Sequence, residues 1–424
     1  MKSIALAVVV VVAVLVVVAP GCAPAEDSPE PPTPRPEPVE EPWDRPAAVQ
    51  VSQSGAGAHE ASLTPFRGGY ATAWHDTRDG DSDIYFRMLD GEGQPAGPEW
   101  RVTDNSGLAY EADIQSAGNA LAIAWYERQG DDYTAMLASY SAEGEQLWRR
   151  RLSPPGTNGR IPMIRTRFGN VFAAWLEDTD GEFWEIRGGW WDVNGNPIGG
   201  NPIGEAGVLA AAGETTWNIS GEVAPDGSVW IVFDTNVYTR AEELYLVRVG
   251  TDGALLGDAV RLTDDDGARS KYPDIAFTRN QAALTWFDGK DGNEEVYVYI
   301  GPAEPMAALV PTSYFSVDHE AIRITDTHGA SIGAYLEWND LLLGVAWNDN
   351  TAGQQELFYQ SFDPGGDPVE PMRRITETPT ESLMASIQVS GNGFAMAWNE
   401  YTPAPDGGHE SPDARSEVFF ARVP

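Results

Sequence analysis

Along residues 47–424 the apolar positions fall in short alternating runs, each closed by a Gly, Asn, Asp or Pro turn. No stretch carries the three-to-four-residue spacing of an amphipathic helix, so the pattern predicts strands throughout. One stretch shows the unit clearly: residues 111–116, 120–126, 133–140 and 146–152 read as four strands, with hairpins at Gly118-Asn119 and Glu143-Gly144. Further along, residues 273–277, 282–287 and 295–300 repeat the unit, with an outer strand near residues 321–325.

The unit recurs around a fixed string. Ala73-Trp74-His75-Asp76 returns as Ala124-Trp125-Tyr126-Glu127, Ala174-Trp175-Leu176-Glu177, Thr285-Trp286-Phe287-Asp288, Ala346-Trp347-Asn348-Asp349 and Ala397-Trp398-Asn399-Glu400. Ile231-Val232-Phe233-Asp234 fills the remaining gap with Val in place of Trp, which makes seven copies at spacings of 50 to 61 residues. A period near fifty suits a four-stranded propeller blade. The last copy ends on its third strand, at residues 417–423, and residues 48–52 match the outer strands around Arg101-Val102-Thr103, Arg261-Leu262-Thr263 and Arg374-Ile375-Thr376. The expected fold is therefore all-β: a seven-bladed propeller of four-stranded antiparallel blades, with the N-terminal strand completing the last blade and removing the open edges.

Composition changes the picture at the N-terminus. Lys2 precedes an apolar run from residue 4 to 19, ending in Val18-Ala19-Pro20-Gly21 before Cys22, the single cysteine of the chain. This layout marks an exported chain and resembles the signal of bacterial lipoproteins. The resemblance implies lipid on Cys22 and an anchor in the cell envelope. Cleavage after Ala23-Pro24-Ala25 and an uncleaved anchor are the competing readings. Residues 1–22 are then the signal, residues 23–46 a Pro- and Glu-rich tether, and residues 47–424 the propeller. With one cysteine, that propeller contains no disulfide.

Sixty-four acidic residues against 27 basic ones give a net charge of −37, spread along the domain. Nucleic acid and anionic membrane surfaces are poor partners for such a field, so membrane contact is expected through the anchor alone, and the chain is read as a monomer.

Three strings carry a family resemblance: Asp79-Gly80-Asp81-Ser82-Asp83-Ile84-Tyr85, Arg101-Val102-Thr103-Asp104 and Ala224-Pro225-Asp226-Gly227. They resemble the TolB-like propeller repeats of bacterial envelope proteins, although seven blades depart from the six of TolB itself. The resemblance implies a protein-binding role or a domain beside a catalytic one.

The repeated Trp is expected in the core. Two positions after it, each copy has a carboxylate: Asp76, Glu127, Glu177, Asp234, Asp288, Asp349 and Glu400. Such a group pins a loop by accepting backbone N–H bonds, while a calcium site is the sharper alternative, with Asp76, Asp79, Asp81 and Asp83 as its weak candidates. No cofactor is assigned.

The loops after strand two share one propeller face with the connections between blades. That face is expected to gather His59, Glu60, Tyr110, Glu111, Arg160, Trp217, Lys271, Tyr272 and Glu381, a mixture able to hold a glycan or a peptide. The leading functional expectation is a non-catalytic, envelope-anchored binding or scaffold protein with a protein or glycan partner. The alternative is a glycan-cleaving hydrolase or lyase using face carboxylates. No sialidase box, G-x-S-x-G elbow or metal-spaced histidine set occurs, and the only thiol lies in the signal. Enlarged loops at residues 301–316 and 402–416 are further candidates for recognition.

Overall fold

A computed structural model describes residues 43–104, 108–130, 132–178, 184–199, 207–213, 216–303, 316–339, 341–402 and 415–424. The signal, Cys22 and most of the tether lie outside the described residues, as do residues 304–315 and 403–414 of the two enlarged loops. The unit from Asp44 to Pro424 is built of seven antiparallel sheets. One short 3-10 turn, Val317–His319, is the sole helical element among the described residues.

Each sheet is a blade. The innermost strands are Ala58–Phe66, Ala109–Ala117, Asn158–Arg167, Ile219–Val223, Ser270–Phe277, Ser331–Trp338 and Glu381–Ser390, for blades 1 to 7 in order. The second strands are Gly69–Asp76, Ala120–Gln129, Asn170–Asp178, Val229–Thr235, Gln281–Asp288, Leu343–Asp349 and Gly393–Thr402. Blade 3 departs from the expected plan, because its outer position is shared by Pro197–Ile198 and Gly207–Ala211, both paired to Trp184–Trp191.

The recurring Trp explains why the blades stack. Trp74, Trp125, Trp175, Trp286, Trp347 and Trp398 are wholly or almost wholly buried and lie between neighbouring sheets. Burying each ring contributes on the order of 2–3 kcal/mol. The carboxylate two residues on locks most of these rings: Trp74 Nε1 donates to Asp76 at 3.0 Å, Trp125 to Glu127 at 3.1 Å and Trp398 to Glu400 at 2.6 Å. The same acids hold the following turn, with Arg78 N on Asp76 at 2.9 Å and Lys290 N on Asp288 at 2.8 Å.

A second buried device repeats on the outer edge. The hydroxyl of Thr103 accepts from Ile84 N at 3.0 Å and donates to Asp83 at 2.6 Å. Thr263 with Leu244 and Glu243, and Thr376 with Leu357 and Glu356, do the same.

Ring closure follows the expected route. Val49–Gln50 pairs with the last strand, Arg415–Val423, through Val49↔Phe420 and Gln50↔Phe419. Ser52 stands where Thr103 and Thr376 stand in blades 1 and 6: its hydroxyl donates to Glu417 and accepts from Val418 N at 2.8 Å. The seam is thus built to the same chemical plan as an ordinary blade.

Candidate functional site: the axial channel

The innermost strands surround a cavity of about 460 Å³ whose wall draws on all seven blades. One backbone irregularity shapes its mouth. Blades 1, 2, 3, 5, 6 and 7 each carry a β-bulge near the start of the inner strand, for example between His59 and Ser62 and between Tyr110 and Asp113. At the bulge Glu60, Glu111, Ile161 and Tyr272 adopt left-handed backbone, with φ of 55°, 50°, 52° and 52°. Only Gly333, at the matching position of blade 6, takes this conformation without steric cost. Blade 4, which also lacks the Trp, pairs without a bulge.

These bulges fall among the candidate residues. His59, Glu60, Tyr110, Glu111, Arg160, Lys271 and Tyr272 belong to the inner strands and are part-buried. The bulge is formed by residues with no turn-like signature. Glu60, Glu111, Trp217 and Tyr272 line the cavity together. Lys271 and Glu381 do not line it; Lys271 Nζ lies 3.8 Å from Glu242.

Around blades 1 to 3 the side chains form a continuous arc. His59 and His75 face each other with ring centroids 5.2 Å apart, and His75 Nδ1 lies 3.3 Å from the Glu60 carboxylate. His75 meets Tyr110 at 5.4 Å, Tyr110 meets Tyr126 at 5.6 Å, and Tyr126 meets Tyr133 at 5.6 Å. Arg160 ends the arc, its guanidinium 5.3 Å from the Tyr133 ring and 4.3 Å from that of Trp184. Trp217 is 53% exposed at the rim, an open aromatic platform.

Electrostatics divide the two mouth glutamates. Burial and the neighbouring Glu60 charge push the Glu111 carboxyl well above the usual range, against the pull of Arg160. Burial also raises Glu60, but hydrogen bonding and charge from His75, with the charge of His59, win and hold it low. Burial and the proximity of His75 lower His59 to about 4.

Deeper in the channel lies a polar belt that the sequence reading missed. Asp113 accepts from Ser62 Oγ at 3.0 Å and from Ile164 N at 2.8 Å, joining blades 1, 2 and 3. Asp274 accepts from Ser220 Oγ at 2.5 Å and from Leu336 N at 3.0 Å, joining blades 4, 5 and 6. Arg165 reaches Asp113 at 3.4 Å and Glu222 at 3.2 Å. Burial, then the Glu222 charge, pushes Glu337 up to about 8. Glu222 and Asp274 are raised by burial as well, with Arg165 opposing. The available signal was the alternation of polar residues on inner strands, as in Glu111-x-Asp113-x-Gln115 and Tyr335-x-Glu337.

The weak metal candidates are not brought together. Asp76 is held by Trp74, Ser54 and Arg78, Asp79 accepts from Tyr85, Asp83 is taken by Thr103 and Arg101, and Asp81 is exposed. Among the described residues no group of three or more His, Cys, Asp or Glu side chains could hold a metal ion.

No family model and no curated protein matches this chain. Among solved structures it is similar to the endosialidase of phage phi92, at 8% identity and TM-score 0.52, over 90% of this chain and 69% of that one. It is similar to a GH93 α-L-arabinofuranosidase of Fusarium graminearum, at 12% identity and TM-score 0.50, over 73% and 92% of the two chains. A third neighbour is the polysaccharide lyase Uly1, at 10% identity and TM-score 0.51, over 88% and 92%. At these identities the likenesses concern the fold alone: the chain is a seven-bladed β-propeller, and its structural neighbours include glycoside hydrolases and a lyase.

Proposed function

We propose that this chain is a non-catalytic binding protein that takes a glycan or protein partner at the mouth of its axial channel. The observation that carries the reading is the cavity itself, walled by all seven blades, with the half-exposed ring of Trp217 at its rim and the carboxylates of Glu60 and Glu111 turned inward by bulges. An aromatic platform beside hydrogen-bonding groups is the usual composition of a sugar or peptide subsite. The N-terminal layout supports export and lipid attachment at Cys22 in a bacterial envelope, and the repeat strings support a TolB-like origin. We read the chain as a monomer without nucleic-acid partners. Calcium stays a subsidiary proposal.

Trp217→Ala is the direct test. On a glycan array and a peptide display the variant is expected to lose binding about tenfold or more, as for a stacked aromatic anchor, while its melting temperature stays within a degree or two of the parent. Equal binding by parent and variant would remove the mouth from consideration.

One observation favours a second reading, glycan cleavage. Glu60 and Glu111 stand on adjacent blades with their proton affinities driven apart, the pattern of a general acid beside an ionised partner. If this pair acts, Glu111→Gln reduces polysaccharide turnover by about a thousandfold and leaves binding intact. Turnover that survives in Glu111→Gln, or is absent from the parent, returns the pair to a binding role.

A further inference from the structure

The wall of the channel is rich in carboxyl groups whose protons burial holds, and a cation entering beside them would favour their ionised form. Six carboxylates line it, Glu60, Glu111, Asp113, Glu222, Asp274 and Glu337, against one cation, Arg165. Arg165 is already shared between Asp113 and Glu222, and Asp113 and Asp274 are engaged with the backbone of neighbouring blades. The other acids are not saturated. Glu337 accepts one hydrogen bond, from Trp338 N at 2.9 Å, and Glu60 Oε2 meets His75 Nδ1 at 3.3 Å. Tyr272 and Tyr335 also line the cavity.

Three aromatic rings, Trp217, Tyr272 and Tyr335, therefore face the same cavity as a surplus of carboxylate. A cation is attracted to ring faces and to carboxylates alike, and a cavity within a molecule of charge −37 concentrates that field. Among cations, a bare metal ion is disfavoured by the absence of a converging oxygen set among the described residues. A guanidinium is served best by one bidentate carboxylate, whereas here single acceptors arrive from separate strands. A compact ammonium with three diverging donors matches that arrangement.

We propose that the cavity binds a protonated primary amine, carried by an amino sugar or by a lysine side chain, between its carboxylates and the rings of Trp217, Tyr272 and Tyr335. This deepens the binding reading above and rests on it.

The test is calorimetric titration of the purified protein with four probes: glucosamine trimer, N-acetylglucosamine trimer, tetralysine, and tetralysine acetylated on its side chains. Either free-amine probe is expected to bind, with acetylation weakening it about tenfold or more, and which of the two binds identifies the source of the amine. Glu337→Gln, which removes the ionisable carboxyl without changing volume, and Glu60→Gln are each expected to weaken the same probe severalfold, and so is Trp217→Ala at the exposed rim. Binding of acetylated and free probes with equal affinity overturns the amine and leaves the binding reading in place. Tetralysine affinity unchanged in all three variants shows general attraction to an acidic surface and also overturns it. Silence with all four probes overturns it, and silence on the glycan array and peptide display as well overturns both.

Discussion

Removing residues 1–53 is expected to lower the stability of the propeller by about 5 kcal/mol or more, read as a shift of the urea midpoint. The magnitude follows from what the deletion strips away. Val51 and Ser52 are fully buried, and burying an aliphatic side chain such as Val51 contributes roughly 1.5–3 kcal/mol. Glu417 and Val418 N lose their Ser52 partners, and a buried group left without a hydrogen bond costs about 1–3 kcal/mol. The last strand, Arg415–Val423, also becomes an open edge, so the truncated protein is expected to associate at high concentration. Ser52→Ala isolates the hydrogen-bond part and should cost about 1–3 kcal/mol. An unchanged midpoint after truncation would mean that the ring holds on three strands of blade 7.

Arg165→Met is expected to be the most damaging single substitution in the channel, costing about 3–5 kcal/mol near pH 8 and less than half of that near pH 5. The side chain opposes Asp113 and Glu222 directly and lowers the proton affinity of Asp274 and Glu337 from further away. Without it, buried negative charges face one another with no counter-ion. The sign of the pH effect follows from proton binding. A carboxyl that holds its proton more tightly in the native state contributes stability that is present below its unfolded value. That contribution is lost as pH rises through the native value, from 4.5 towards about 8 for Glu337. Asp234, raised to about 7, and Glu243, raised to about 8, both by burial, act in the same direction. The parent protein is therefore expected to melt at higher temperature near pH 5.5 than near pH 8.5, and Arg165→Met to steepen that slope. His59, held low, works the opposite way as pH falls below about 6.5. A cost for Arg165→Met that is equal at both pH values would sever the link between this residue and the channel acids.

Much of the architecture was legible before any coordinates. The Trp strings survive because each ring fills the same gap between sheets, and that gap tolerates little else. Residues 48–52 were recognisable as the missing outer strand because the hydroxyl at Ser52 has the same task as Thr103, so the two share a local pattern. The site was legible only in outline. Glu60, Glu111 and Tyr272 were singled out as polar or aromatic residues, but nothing in their identity announces left-handed backbone, so their inward turn stayed hidden. Arg165, Glu222, Asp274 and Glu337 sit on strands that the alternation predicts, yet their meaning lies in contacts between blades. Asp113 and Ile164 are 51 residues apart in sequence, and Asp274 and Leu336 are 62 apart, distances over which local pattern carries no information.

The seam by which the ring closes has a mechanical side. Asp44 opens the domain a few residues before Val49–Gln50, so tension on the N-terminal segment reaches the exposed contact of Arg45 with Arg374 O and Glu377 and then that two-residue pairing. Resistance to pulling is governed by the rate at which the first element gives way, not by the stability of the whole. A load applied through the N-terminus is therefore borne by Arg45 and then by Val49, Gln50, Val51 and Ser52, whereas the same load at Pro424 enters through the nine-residue strand Arg415–Val423. The propeller is weak along one end of its chain and strong along the other.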